Sequence, residues 1–173
     1  MEVCYDCTMA WSEVARGRAV GVVVKDGNLL VMKRDNHGRH YFTLPGGGVE
    51  SGETKEQAVR RELMEEASLE VKVQKLIYEH HYDNGSSQYY YLCSYLSGEP
   101  RLQVGVIEVV ANSEGDLHEP IWLPTQRLAE TLLYPLEIRD WLISDLKNGF
   151  PEKPRVANLK IQDLRQTLDN EAS

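Results

Sequence analysis

Three glutamates, Glu62, Glu65 and Glu66, fall within little more than one turn of a segment, Thr54 to Ala67, that is built almost wholly from good helix formers. Glu62 and Glu66 are spaced i, i+4 and Glu62 and Glu65 i, i+3, so their carboxylates share one side of the helix while Leu63 turns toward a core. Like charges at that spacing repel by roughly a few tenths of a kcal/mol per pair. Arg60 and Arg61 lie upstream, and nothing basic follows until Lys72. A bound cation would remove the penalty, and clustered hard oxygen donors select Mg²⁺ or Mn²⁺ over Zn²⁺. Taken alone, the glutamates also fit a solvated acidic helix face. The preceding Pro45-Gly46-Gly47-Gly48 tips the balance toward ligand chemistry, because consecutive glycines let a backbone or a ligand approach where a Cβ would block it.

The elements that must position these groups follow from local pattern. Arg18 to Val24 is rich in β-branched residues and too short for a helix, so it reads as a buried strand. Asp26-Gly27-Asn28 is a turn signal, and Leu29 to Arg34 forms the returning strand of an antiparallel hairpin. After a polar loop from Asp35 to His40, a short strand from Tyr41 to Leu44 runs into the glycines. The helix has Ser51 or Thr54 available as its cap, and Val59, Leu63 and Ala67 form its apolar stripe. Leu69 to about Tyr82 and Gln88 to Leu96 read as a second hairpin across Asp83-Asn84-Gly85-Ser86-Ser87. Val104 to Val110 and Glu119 to Leu123 are further candidate strands. Pro135 to Lys147 reads as a second helix, stopped by Asn148-Gly149. The expected organisation is an N-terminal extension over 1–17, one folded domain over 18–150 and a loosely attached C-terminal tail over 151–173, with a short helical pattern near Leu159 to Leu168.

The spacing runs Gly47, five residues, Glu53, seven residues, then Arg61-Glu62-Leu63-Met64-Glu65-Glu66 and Ala67-Ser68-Leu69. It resembles the signature of the Nudix hydrolases (MutT-like enzymes), G-x5-E-x7-R-E-U-x-E-E-x-G-U with U a bulky aliphatic residue. One fixed position departs: Ser68 stands where the family has glycine, which bears on the turn leaving the helix and not on any ligand. The resemblance implies an α/β Nudix fold, a mixed β-sheet sandwiched between α-helices. It also implies a Mg²⁺-dependent hydrolase, with Mn²⁺ as a substitute, that cleaves the pyrophosphate bond of a nucleoside diphosphate linked to another moiety: a nucleoside triphosphate, a nucleotide sugar or a dinucleoside polyphosphate. Carried over by position, Glu62, Glu65, Glu66 and the Gly46 carbonyl would be metal ligands, Arg61 would orient the glutamates, and Glu53 would be a supporting carboxylate. The general base would be Glu66 or Glu62 within the box, or Glu119 or Glu114 in a later loop. The alternative from another class is a Nudix-fold sensor that binds a nucleotide without cleaving it, against which the intact glutamate set argues. A diphosphate isomerase on the same fold ranks last, because Cys93 is the one cysteine in the central region.

Substrate contacts must come from outside the box. Arg34 could reach a phosphate, Arg39, His40 and Tyr41 could meet phosphate or base, and Glu119 the substrate as well. Tyr82, Tyr89, Tyr90 and Tyr91 could stack on a nucleobase, but a strand with alternate rings inside and outside explains that run more simply. Two other phosphate motifs fail on spacing. Gly47 to Gly52 matches the glycine offsets of a P-loop, yet Glu53-Thr54 follows where Lys and Ser or Thr are needed, and Ser51 breaks G-x-G-x-x-G.

Composition narrows the partners. The chain has 173 residues, 19 Lys+Arg against 27 Asp+Glu and a net charge of -8, so the broad basic footprint of bulk nucleic-acid binding is missing and the expected partner is a small nucleotide. No apolar run approaches the roughly 20 residues of a membrane span, and the N-terminal residues lack a leader pattern, so the expected location is cytoplasmic. Three cysteines, Cys4, Cys7 and Cys93, form no disulfide framework, and Cys4/Cys7 is only half of a zinc site. His37/His40 and His80/His81 lack the spacing of a zinc peptidase. Related folds often pair, which leaves a homodimer as a possible assembly.

Overall fold

β1 (Arg18–Lys25) runs through the middle of the sheet, and its alternating side chains feed two separate cores. Val20 and Val22 face one side, Ala19 and Val23 the other, as a strand buried on both faces requires. The chain reverses at Asp26 (φ 49°) and Gly27 (φ 74°), a two-residue turn with both residues left-handed, into β2 (Asn28–Asn36). This computed structural model describes residues 17–36, 38–101 and 116–161. The expected strand over Val104 to Val110 lies outside them, as do Glu114, Cys4, Cys7 and His37.

β2 pairs antiparallel with β3 (Arg39–Thr43) on one edge and with β7 (Asp116–Pro124) on the other. β1 pairs antiparallel with the short β4 (Gly46–Gly48) and parallel with β6 (Ser87–Gly98). β6 in turn pairs with β5 (Leu69–Tyr82) across the expected hairpin. With β8 (Leu133–Tyr134) parallel to β3 and β9 (Arg155–Leu159) parallel to β5, the order is β8-β3-β2-β1-β6-β5-β9. α1 (Lys55–Ala67) buries Ala58, Val59, Leu63 and Ala67 on one face. α2 (Leu136–Asn148) buries Ile138 and Leu142 on the other, against Val20, Val22, Ile77, Tyr78 and Tyr90. The result is the expected mixed sheet between helices. A Cβ on Gly21 would stand 2.6 Å from Leu63 Cδ1, so glycine there lets α1 sit close on β1.

Three features differ from the sequence expectation. The glycine segment is itself a strand, and a 3₁₀ helix (Thr125–Glu130) followed by β8 links β7 to α2. Arg155–Leu159, expected in a loose tail, pairs with Tyr78–Tyr82 as β9. Its Arg155 reaches the carboxylate of Asp145 on α2, which also accepts a 2.8 Å hydrogen bond from the Tyr78 hydroxyl.

His80 on β5 is wholly buried, with the rings of Tyr90, Trp141 and Tyr82 packed edge-on at 5.4, 5.6 and 6.1 Å. Burial pushes its pKa down to about 4. The unfolded chain, with an ordinary imidazole near 6.5, takes up the proton first. His80 is therefore expected to leave stability unchanged above about pH 6.5 and to subtract up to about 3 kcal/mol as pH falls toward 4. Urea unfolding of the parent and of His80→Phe across pH 7 to 4 checks this: the difference between them should shift in favour of the variant within that window and nowhere above it.

Candidate active site

β4 lies against the start of β1 in the register Arg18↔Gly48, Ala19↔Gly47, Val20↔Gly46. A Cβ on Gly46 would overlap the Ala19 carbonyl, and a Cβ on Gly47 would overlap the Glu62 carboxylate. The two glycines thus open the space into which α1 projects its acids. Gly46 N–H donates to Glu66 Oε2 at 2.8 Å, fixing one box carboxylate on the glycine strand. The Glu62 side chain is only 13% exposed while Glu65 is 49% exposed, so Glu62 is withdrawn from the solvated helix face that Glu65 still presents. Gly47→Ala is expected to destabilise the protein by about 1–3 kcal/mol through this overpacking and to push Glu62 out of place; a denaturant midpoint equal to the parent's would contradict it.

α1 begins where its chemistry dictates. Of the two expected caps it is Thr54 that acts, in a reciprocal box: Gln57 N–H donates to Thr54 Oγ1 at 3.2 Å and Thr54 N–H to Gln57 Oε1 at 2.7 Å. At the other end Ser68 adopts the left-handed conformation (φ 54°) that the glycine of the signature would take, donates its N–H to Met64 O, and bonds through Oγ to Arg101 O at 2.9 Å. Serine closes the helix here through its left-handed backbone and these two bonds.

Arg61 ties the acids together. Its guanidinium donates to Glu53 Oε1 at 2.7 Å, Glu62 Oε1 at 2.7 Å, Glu65 Oε2 at 3.2 Å and the Gly48 carbonyl at 2.9 Å. Glu53 also accepts the Glu50 N–H at 2.7 Å. The Arg61 hydrogen bonds hold the Glu53 carboxyl below the usual carboxylate range, and the same bonds push Arg61 further up. Glu62 moves the other way: burial raises it, Arg61 opposes that, and the like charge of Glu66 adds to the rise. Among the described residues no three His, Cys, Asp or Glu side chains converge on one point that could hold a metal ion; Arg61 bridges Glu53, Glu62 and Glu65 instead. The donor set still suits a hard divalent cation, since it is all oxygen and holds a buried carboxylate beside a like charge that a cation would offset.

The residues expected to meet substrate lie on the other part of the sheet. Arg34 on β2 donates from Nε to Thr43 Oγ1 at 3.2 Å and from Nη1 to His118 Nε2 at 2.8 Å. Arg39 is exposed at the start of β3, and Tyr41 stands edge-on to Tyr134 with ring centroids 6.0 Å apart. Glu119 sits on β7, not in a loop, and pairs with Lys33 at 3.8 Å. Tyr90 enters one core and Tyr91 the other, as alternation dictates, and Tyr82 is buried as well. Tyr89 is half-buried, with Lys55 Nζ 3.4 Å from its ring centre. His118 and Thr43 were absent from the sequence expectation; only the cross-strand register, Arg34 opposite His118, brings them to Arg34. Cys93 is buried, and its thiol is pushed up to about 12 by that burial, which leaves it unreactive.

No helix among the described residues is long and apolar enough to cross a membrane. A family model described as the NUDIX domain matches residues 15–143. An ADP-ribose pyrophosphatase from Methanocaldococcus jannaschii is 48% identical over 58 residues, which are 33% of this chain and 34% of that protein. An RNA pyrophosphohydrolase from Aeromonas hydrophila is 50% identical over 52 residues, 29% of each. The chain thus matches these curated relatives over about a third of their length. Among solved structures, a NUDIX hydrolase from Nitrosomonas europaea superposes with a TM-score of 0.63 at 18% identity, over 83% of this chain and 78% of that one, a likeness of fold.

Proposed function

The chain belongs to the Nudix family, and from that premise we propose that it is a Mg²⁺-dependent hydrolase that cleaves the pyrophosphate bond of a nucleoside diphosphate linked to another moiety. The observation that carries this reading is the Glu62 carboxylate, buried in the space that Gly47 leaves and beside the like-charged Glu66. A solvated acidic face would not keep such a group. Glu62, Glu65 and Glu66, with the Gly46 carbonyl, would hold the divalent cation. When bound, that cation neutralises phosphate charge and increases the acidity of the attacking water. Arg61, anchored on Glu53 and the Gly48 carbonyl, orients the glutamates. Glu66 or Glu62 accepts the water's proton, and Arg34, Arg39 and Tyr41 lie on the strands that would meet the rest of the nucleotide. Glu119, paired with Lys33, stands as the base candidate outside the box.

The test is product release, resolved by chromatography, from nucleoside triphosphates (oxidised ones included), ADP-ribose, nucleotide sugars and diadenosine polyphosphates, with and without Mg²⁺. One class should be cleaved only with Mg²⁺, and Glu65→Gln and Glu66→Gln should both lose that cleavage. Nucleotide binding without turnover of any substrate would replace this reading with that of a sensor.

A further inference from the structure

The half-buried guanidinium of Arg34 is held on two sides and, among the described residues, has no acceptor on the third. Its Nε–H points to Thr43 Oγ1 at 3.2 Å and one Nη1–H to His118 Nε2 at 2.8 Å, while its remaining N–H groups meet no acceptor among the described residues. Because a guanidinium has donors only, the 2.8 Å contact requires a lone pair on His118 Nε2, which places the ring proton on Nδ1. His118 and Thr43 come from β7 and β3, the strands flanking β2, with Arg34 directly opposite both His118 and Tyr41. Thr43 precedes Gly46 by three residues, so this fork stands within about 10 Å of chain from the strand whose Gly46 N–H holds the Glu66 carboxylate of α1. An arginine clamped at two N–H positions loses little freedom when it binds, and its free edge matches two oxygens of a phosphate group.

We infer that His118 and Thr43 are positioning residues that aim the open edge of Arg34 at a phosphate of the nucleoside diphosphate, and that His118 does so as an acceptor. This rests on the proposed function only for the identity of the ligand. The contact itself predicts which replacements are tolerated: glutamine at 118 can still accept from Arg34 through its amide oxygen, and alanine cannot.

The probe is ADP in the presence of Mg²⁺, titrated by calorimetry into the protein and its variants, alongside kcat and KM for whichever substrate is cleaved. His118→Ala and Thr43→Val are each expected to weaken ADP binding by roughly three- to tenfold and to raise KM while kcat stays within about twofold. His118→Gln should bind within about twofold of the parent. Arg34→Ala should lose about tenfold or more, and adding His118→Ala to it should change nothing further. The inference is overturned if the parent fails to bind ADP, if His118→Gln is as weak as His118→Ala, if the two losses add in the Arg34→Ala background, or if His118→Ala lowers kcat at constant KM. Should the parent bind ADP but cleave nothing, hydrolysis falls as the function, and the binding ratios alone decide the role of His118.

Discussion

Glu62→Gln is expected to lower kcat by on the order of 10²–10⁴-fold and, in protein stripped of metal with EDTA, to leave the melting temperature at or above that of the parent. The two effects share one cause. Glu62 is held in a nearly closed space over Gly47, where burial disfavours its charge and Glu66 repels it. Glutamine fills the same volume, keeps an oxygen to accept from Arg61 Nη1, and carries no charge to be repelled. The folded protein therefore loses a strained electrostatic contact and the reaction loses a cation ligand or a base. Calorimetric melting and steady-state kinetics on one preparation check both. A variant that melts several degrees lower would mean that Arg61 more than offsets the burial of Glu62, and a variant that keeps its kcat would move the chemistry away from the box. Glu66→Gln makes a useful partner, since its amide oxygen can still receive the Gly46 N–H.

Most of this site was legible because its signals are local. The i, i+4 acids, the Thr54 cap and the stripe of Val59, Leu63 and Ala67 all lie within one helix, where spacing alone decides which side chains share a face. The Asp26-Gly27 turn specified the first hairpin for the same reason. What the sequence concealed depends on pairing between distant segments. Gly46–Gly48 has no strand propensity, and it becomes β4 only because β1 offers an edge that a Cβ would keep it from reaching. His118 meets Arg34 because β7 pairs with β2 over nine residues, a register that no short-range pattern reports. Glu119, which the sequence offers both as the start of a strand and as a loop carboxylate, lies within that same strand opposite Lys33. The tyrosine run was ambiguous only until its strand was placed, after which alternation sent Tyr90 and Tyr91 to opposite cores.

Arg155→Ala is expected to destabilise the protein by about 1–3 kcal/mol, a large effect for a residue that is itself 38% exposed in a segment that reads as a polar tail. Arg155 pairs with Asp145, whose side chain is 1% exposed and whose other oxygen accepts the Tyr78 hydroxyl at 2.8 Å. Tyr78 belongs to β5 and Asp145 to α2, so one buried carboxylate joins the sheet, the second helix and β9. Removing the arginine strands a negative charge in the core, and the cost arises chiefly from that unpaired charge, less from the attraction of the ion pair itself. The proper control follows from this account. Asp145→Asn with Arg155→Ala removes the charge together with its partner, keeps an acceptor for Tyr78, and should recover much of the stability that Arg155→Ala alone forfeits. Urea unfolding of the three proteins decides it. If the double variant is no more stable than Arg155→Ala, β9 is held by its backbone pairing with Tyr78–Tyr82 and the buried charge contributes little.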